Sequence, residues 1–260
     1  MGIEVAASEL LWEVKDGVCR ITLNREARRN AINVEMIARF NECLDQVEND
    51  PSVRVMLVTG AGDKVFCSGA DLTAGLGDAG DAPLKYTRLL KRMSLFPRPF
   101  IARLNGHCMA GGMGLMLSCD LVYAHEGVKI GTPEVKVGLF PMMIGALLFR
   151  NAVRKKVLEL IYTAQPVSAA EAERMGLLTR VYPTIAEMDA AVDKTAAAIR
   201  GNAPAAIAIG RRALAEADDM DLDRGLEYLC TRLNDVLRTE DAAEGLMAFA
   251  MKREPEWKGK

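Results

Sequence analysis

The chain has 260 residues, 50% hydrophobic and 26% charged, enough to bury the core of one large domain without staples. A formal net charge of −2, with no basic stripe on any expected helix, gives no electrostatic case for nucleic acid, although a few clustered arginines could still serve a local anionic ligand. No run reaches the roughly 18 uninterrupted apolar residues of a membrane span, and the opening "MGIEVAASELLWEVKDG" lacks the basic start and apolar core of a leader. Six cysteines without CxxC or zinc-like spacing read as free thiols in a reduced, cytoplasmic protein.

In chain order, "LLWEVKDGVCRITLNR" predicts two strands joined at Asp16-Gly17, a dipeptide suited to a tight hairpin. Met36, Ile37, Phe40, Leu44 and Val47 recur at helical spacing over 34–48. "VRVMLVTG" (53–60) is a β-branched run and predicts a buried strand. "AGLGDAGDAP" (74–83) is too small and polar to pack and reads as a mobile loop. A second pass follows, with a strand in "PFIARLNG", a helix opened by the glycines of "GHCMAGGMGLMLSCD" (106–120), and two short strands in "DLVYAHEGVKIGTPE". From about residue 151 the pattern is helical, with helices expected at 153–163, 168–175, 185–200, 204–217, 222–237 and 240–251. Ser168 and Glu171 have the spacing of a capping box. An α/β core followed by a helical C-terminal part is the expected architecture.

Three segments have the composition for chemistry: "FCSGADL" (66–72), "NGHCMAGGMG" (105–114) and "GTPEVKVGLFP" (131–141). Gly111, Gly112 and Gly114 crowd a helix start that holds no acid or base. Glycine lets a ligand reach the backbone, and a helix start leaves N–H groups unpaired and partly positive. Two such loops face to face could aim two N–H groups at one oxygen, each worth about 3–4 kcal/mol to a developing negative charge. Close packing of helix on strand explains the glycines equally well. Glu134 lies in an apolar context where partial burial would raise its pKa toward the range of a general base; an exposed loop glutamate is the plainer alternative. Asp71 reads as a helix cap or an arginine partner, and Asp120 as structural. His107 and His125 lack the companions of a hydrolase triad or a metal site. "GAGD" (60–63) lacks the full glycine run and lysine of a nucleotide loop.

At these residues the sequence resembles the crotonase superfamily, the enoyl-CoA hydratases and isomerases, over nearly its whole length. "ITLNREARRNAIN", "FCSGADL", "NGHCMAGGMGLMLSCD", "SAAEAERMGLLTRVYP" and "EDAAEGLMAFAMKREPEW" are similar to successive motifs of that family. The resemblance implies a spiral of stacked β-β-α units over residues 1–195, a helical trimerisation part over 196–260, and assembly into homotrimers or dimers of trimers. The implied substrate is an acyl-CoA thioester, with no separate cofactor and no metal, nucleic acid or membrane partner. Its carbonyl would be held by the backbone N–H groups of Ala70 and Gly111. Around it, Arg25, Arg28, Ala31, Ser68, Asp71, Leu72, Gly112, Gly114, Pro133, Met142 and Met143 would contact CoA or the acyl chain. Phe249 and Lys252 would close the CoA site, of this chain or of a neighbouring subunit. Ala27 stands where a phosphate-binding lysine is often found, and Arg28 or Arg29 would replace it.

The sequence departs from the family pattern in two places. A hydratase of this type is expected to carry two glutamates; Glu134 matches the second, but Gly114 occupies the first. "PMMIG" (141–145) replaces a glycine-rich turn and suggests an apolar acyl pocket. Syn addition of water calls for one group to activate the water and another to deliver a proton, whereas a double-bond shift needs one carboxylate. The sequence therefore favours an enoyl-CoA isomerase with Glu134 as proton shuttle, with hydratase as the alternative. A non-catalytic acyl-CoA-binding paralogue, thioester hydrolysis and decarboxylation rank below these two.

Overall fold

The computed structural model describes residues 8–71 and 80–260. A hairpin opens it: β1 (Leu10–Lys15) and β2 (Val18–Leu23) pair antiparallel with Lys15 opposite Val18. The two turn residues, Asp16 and Gly17, have φ of 48° and 75°, the left-handed pair a right-twisted hairpin needs. Helix α1 (Val34–Val47) starts where the Asn33 side chain accepts from the Met36 amide, and buries Met36, Ile37, Phe40, Leu44 and Val47.

Three strand-strand-helix units follow. The first is β3 (Val55–Gly60), β4 (Val65–Cys67) and α2 (Ala82–Leu95). The second is β5 (Phe100–Leu104), β6 (His107–Met109) and α3 (Gly112–Leu117). The third is β7 (Leu121–His125), β8 (Lys129–Gly131), a 3-10 turn (Pro133–Val137) and α4 (Met142–Asn151). The first strand of each unit enters one sheet and the second enters another. After α5 (Arg154–Thr163), the short β9 (Val167–Ser168), α6 (Ala169–Arg174) and β10 (Arg180–Tyr182) complete both sheets. The large sheet runs β1-β2-β3-β5-β7-β10, parallel from β2 onward, and the small sheet runs β4-β6-β8-β9 with β4, β6 and β8 parallel. This is the α/β spiral of stacked β-β-α units.

Strand β3 shows why its sequence is apolar throughout. Side chains alternate across a strand: Met56 and Val58 enter the main core with α1 and α3, whereas Val55 and Leu57 face Met188, Val192 and Ala196 of α7 (Ile185–Arg200). Helices α8 (Pro204–Ala217), α9 (Leu222–Leu237) and α10 (Glu240–Met251) follow. The division expected at 195/196 falls inside α7, which packs on the large sheet along its length and ends at Gly201.

Several expectations need correction. Of the loop expected at 74–83, residues 74–79 lie outside the described residues, and Ala82 and Pro83 already belong to α2. "PMMIG", which stands in place of a glycine-rich turn, forms the start of α4, with Pro141 at its N-terminal cap. The C-terminal half is interrupted by β9 and β10, which are held by pairing with β8 and β7. All six cysteines are free, and Cys230 alone among them is exposed. Among the described residues no helix is long and apolar enough to cross a membrane, and no three His, Cys, Asp or Glu side chains are placed to hold a metal.

Candidate active site

Strands β4, β6 and β8 are parallel neighbours, so their C-terminal ends lie side by side, the edge of an open α/β sheet where ligands bind. The three segments singled out in the sequence leave from those ends: Ser68–Asp71 after β4, Ala110–Gly114 after β6, and Thr132–Glu134 after β8.

The first segment is pinned by a one-residue bridge between Ile32 and Ala70. Ile32 donates to Gly69 O at 2.7 Å and Asp71 donates to Ile32 O at 2.8 Å, so the bridge leaves the N–H of Ala70 unused. Gly69 has a φ of +106°, and a β-carbon on it would meet the Ala110 methyl at 2.7 Å and the Gly111 nitrogen at 3.1 Å. Glycine is required there by conformation and by the approach of the second segment. That segment is fixed by Ala110 N donating to Gly131 O at 2.8 Å, with Ala110 itself at φ 49°. A β-carbon on Gly111 would sit 3.4 Å from Ala70 N. Two backbone N–H groups, of Ala70 and Gly111, thus lie close together, and among the described residues neither has an acceptor.

The neighbouring glycines serve packing. A β-carbon on Gly112 would strike Cys67 O at 2.7 Å, and one on Gly114 would strike the Tyr86 hydroxyl at 2.6 Å. The Gly114 N–H is also taken, by Gly111 O at 2.9 Å. The expectation that Gly114 faces substrate is therefore corrected: it is buried beneath Tyr86, Leu90 and Ile144.

Glu134 is half-buried, and its Oε2 is buried without a hydrogen-bond partner. Burial raises its pKa above the ordinary carboxylate range, against a smaller lowering by a backbone hydrogen bond. The turn that carries it is anchored by Thr132, fully buried, whose hydroxyl donates to Leu160 O at 3.3 Å. The arrangement is two donors for a developing negative charge and one carboxylate suited to proton transfer.

The family model described as enoyl-CoA hydratase/isomerase matches residues 13–260. The chain belongs to the enoyl-CoA hydratase/isomerase family. The 2,3-dehydroadipyl-CoA hydratase of Escherichia coli (strain K12) is 31% identical over 256 residues, 97% of this chain and 100% of that protein. The (E)-benzylidenesuccinyl-CoA hydratase of Thauera aromatica is 32% identical, over 95% of this chain and 98% of that protein. Among solved structures, an enoyl-CoA hydratase from Bacillus anthracis is similar with a TM-score of 0.91 at 31% identity, covering 97% of this chain and 100% of that one. The protein is a crotonase-fold enzyme that processes acyl-CoA, as a hydratase or an isomerase.

Within this enoyl-CoA hydratase/isomerase chain the other expected contact residues divide. Arg25 is committed to the protein: its guanidinium meets Asp71 at 2.8 Å and Glu9 at 3.1 Å, and donates to Ala31 O at 2.6 Å. Asp71 is thus the arginine partner that its position suggested, and the pair ties the 25–31 loop to the Ala70 segment. Ser68 joins the same loop through its N–H, which donates to Arg29 O at 3.1 Å. Ala31 is buried, Arg28 is exposed and Pro133 precedes Glu134 in the turn. Leu72 lies outside the described residues. Met143 accepts from the Thr87 hydroxyl at 3.2 Å, while Met142 is largely exposed at the start of α4. Phe249 and Lys252 lie at the end of α10, which packs on α8 and α9. Among the described residues, neither makes a hydrogen bond or ion pair to the strand-end segments.

Two residues went unrecognised in the sequence. Asn105 is buried; its Oδ1 accepts from Gly60 N at 2.8 Å, and its Nδ2 donates to Gly62 O at 2.9 Å and to Val65 O. It welds the first two units together where each chain crosses between sheets. Tyr86 covers Gly114. The only sequence signal for it was indirect, a glycine inside an apolar helix where a larger residue would be favoured.

Proposed function

We propose that this enzyme is an enoyl-CoA isomerase that shifts a double bond with one carboxylate. The Glu134 carboxylate takes the α-proton of a 3-enoyl-CoA, and the C–H electron pair moves toward the thioester, leaving a dienolate oxygen at the N–H groups of Ala70 and Gly111. The carboxylic acid formed on Glu134 then returns its proton to the γ-carbon, the carbonyl re-forms, and the product is the conjugated 2-enoyl-CoA. The observation that carries this reading is the covering of Gly114. Asp71 is held by Arg25, which leaves Glu134 as the unpaired carboxylate at these strand ends among the described residues. An apolar acyl group suits the exposed apolar side chains of Leu139, Phe140 and Met143 near the start of α4.

Hydration is the second reading, and the relatives support it better than they support the first: the proteins compared above are named hydratases. The experiment that separates the two is NMR of a medium-chain trans-2-enoyl-CoA incubated with the enzyme in deuterated water. Deuterium at the γ-carbon with some 3-enoyl product is expected. A 3-hydroxyacyl-CoA deuterated at C2 would establish hydration and sink the isomerase reading.

A further inference from the structure

The Tyr86 hydroxyl donates to the Gly111 carbonyl at 2.5 Å. The ring is buried, and that burial, with a smaller contribution from the thiols of Cys67 and Cys108, pushes the phenol well above its ordinary range, so it stays protonated and remains a donor. The bonded carbonyl is one residue's span from the Gly111 N–H, which lies close to Ala70. Ahead of it, Ala110 holds a left-handed φ of 49°, a conformation an alanine adopts only when its surroundings impose it. Hydrogen bonds hold it on both sides: Ala110 N on Gly131 O at 2.8 Å from the β8 side, and, on Gly111 O, the Tyr86 phenol from the α2 side beside the helix's own Gly114 N–H at 2.9 Å.

The same phenol fixes the residue at 114. A β-carbon there would lie 2.6 Å from the Tyr86 oxygen, 3.0 Å from Ile144 Cγ2 and 3.1 Å from Leu90 Cδ1. A side chain at 114 and a hydroxyl on Gly111 O therefore compete for one space. Tyr86 also stands on the helix that follows the Ala70 segment in the chain, while Gly111 opens the helix of the next unit. The hydrogen bond thus couples the two units that supply the two N–H donors.

We propose that Tyr86 is a positioning residue of this site: by holding the Gly111 carbonyl it aims the Gly111 N–H at the thioester oxygen, and its hydroxyl is the reason residue 114 is glycine. The inference rests on the reading that the Ala70 and Gly111 N–H groups receive that oxygen, and the test separates the two.

The probe is cinnamoyl-CoA, whose conjugated thioester absorbs further to the red when its carbonyl oxygen is polarised. The second measurement is exchange of the α-protons of butyryl-CoA in deuterated water, which reads proton removal without assuming isomerisation or hydration. The wild type and Glu134→Gln are expected to show the red shift on binding. Tyr86→Phe is expected to lose most of it and to exchange α-protons roughly 10- to 100-fold more slowly, because a misaimed donor loses strength steeply, with probe affinity changed by less than about threefold. Should the phenylalanine variant lose stability, Gly114→Ala offers a second route, since its methyl must displace the hydroxyl. It is expected to lower the exchange rate by itself and to add little further when combined with Tyr86→Phe, as coupled sites do. A folded Tyr86→Phe enzyme with the full red shift and wild-type exchange would overturn the proposal for Tyr86 alone. A wild type that binds cinnamoyl-CoA with no red shift would overturn the underlying reading, and this inference with it.

Discussion

A β-carbon on Gly111 would lie 3.4 Å from the amide nitrogen of Ala70, an ordinary contact distance. Gly111 also has a φ of −52°, which any residue adopts. The protein itself therefore tolerates a methyl group at Gly111, in contrast to Gly112 and Gly114, where a methyl collides with Cys67 O and with the Tyr86 hydroxyl. The three glycines at the start of α3 answer to different demands: two admit neighbouring parts of the chain, and the first lies beside two N–H groups that have no acceptor among the described residues.

Alanine substitution should separate these demands. Gly111→Ala is expected to fold normally and to gain about 0.4–1 kcal/mol from a less flexible unfolded chain. It should nevertheless lose activity on enoyl-CoA substrates, because the methyl enters the space an oxyanion would occupy. Gly112→Ala is expected to lose roughly 1–3 kcal/mol of stability through overpacking against a backbone oxygen that cannot move aside. Thermal melts with steady-state rates on the same samples check both. Full activity in Gly111→Ala would argue against a ligand oxygen between these amides.

Glu134→Gln tests the carboxylate and its burial together. Since burial raises the Glu134 pKa in the folded state, the native protein binds this proton more tightly than the unfolded chain does. Its contribution to stability is fully present below the unfolded glutamate pKa and is lost as pH rises through the raised folded value. At neutral pH the charged side chain is therefore a burden, and the glutamine variant is expected to melt slightly higher than wild type, with the gap closing in acid. Activity should go the opposite way: the base is the carboxylate, so wild-type kcat/KM falls as pH drops through that same raised pKa. Melts and rate profiles from pH 4 to 9, taken in parallel, would show both; a glutamine variant retaining proton exchange would remove Glu134 from the mechanism.

Much of the helical C-terminal region was legible because its helix starts are written in side chains. Thr184 and Glu187 form a reciprocal capping box, Pro204 occupies the first turn of α8, and Asp221 and Thr239 accept from amides three residues on. Helix α2 has the right periodicity in Tyr86, Leu89, Leu90 and Met93, but Asp81 makes no capping bond and a small, polar segment precedes it. Strands β4, β6 and β8 are three residues each, too short for alternation to register, so the sheet edge that gathers the site emerges only from pairing. Glu134 and the two loops could be found by composition and resemblance. The Arg25–Asp71 pair was half legible, and the Tyr86–Gly111 bond was not, because it joins residues 25 positions apart through a backbone carbonyl that carries no sequence signature.

The Arg25 fork should show up in stability more than in substrate charge recognition. Arg25 and Asp71 side chains are each only 12% exposed, so removing the guanidinium breaks a largely buried ion pair and also takes the donor from Glu9 and from Ala31 O. Arg25→Met is expected to cost about 3 kcal/mol, a fall in Tm of roughly 6–12 °C for a chain of this length. Loss of kcat should follow as the Ala70 segment loosens. Lysine should not rescue it, having one nitrogen for three partners. Were Arg25 instead a direct partner of a CoA phosphate, KM would rise with Tm unchanged and the effect would weaken in high salt.

Helix α9 carries a further expectation. Leu222, Leu226, Leu233 and Leu237 follow a helical spacing of four, seven and four residues, and all are exposed, Leu222 at 76% and Leu226 at 60%; no residue of α9 is buried within the chain. Leu246, Met247, Phe249 and Met251 of α10 add to the exposed apolar surface. A patch of this kind left in water is an association surface, and identical chains most often associate by closed symmetry. The family resemblance implies a trimer or a pair of trimers, and the protein is expected to run as one in light scattering. The double variant Leu226→Glu and Leu233→Glu should shift it toward monomer, because two carboxylates would have to be desolvated in the contact. If Phe249 and Lys252 reach a neighbour's CoA site, that variant should also raise KM for the acyl-CoA while leaving the fold of the core unchanged by circular dichroism. A wild type that scatters as a monomer at micromolar concentration would refute the assembly and would leave these two residues without a route to the site.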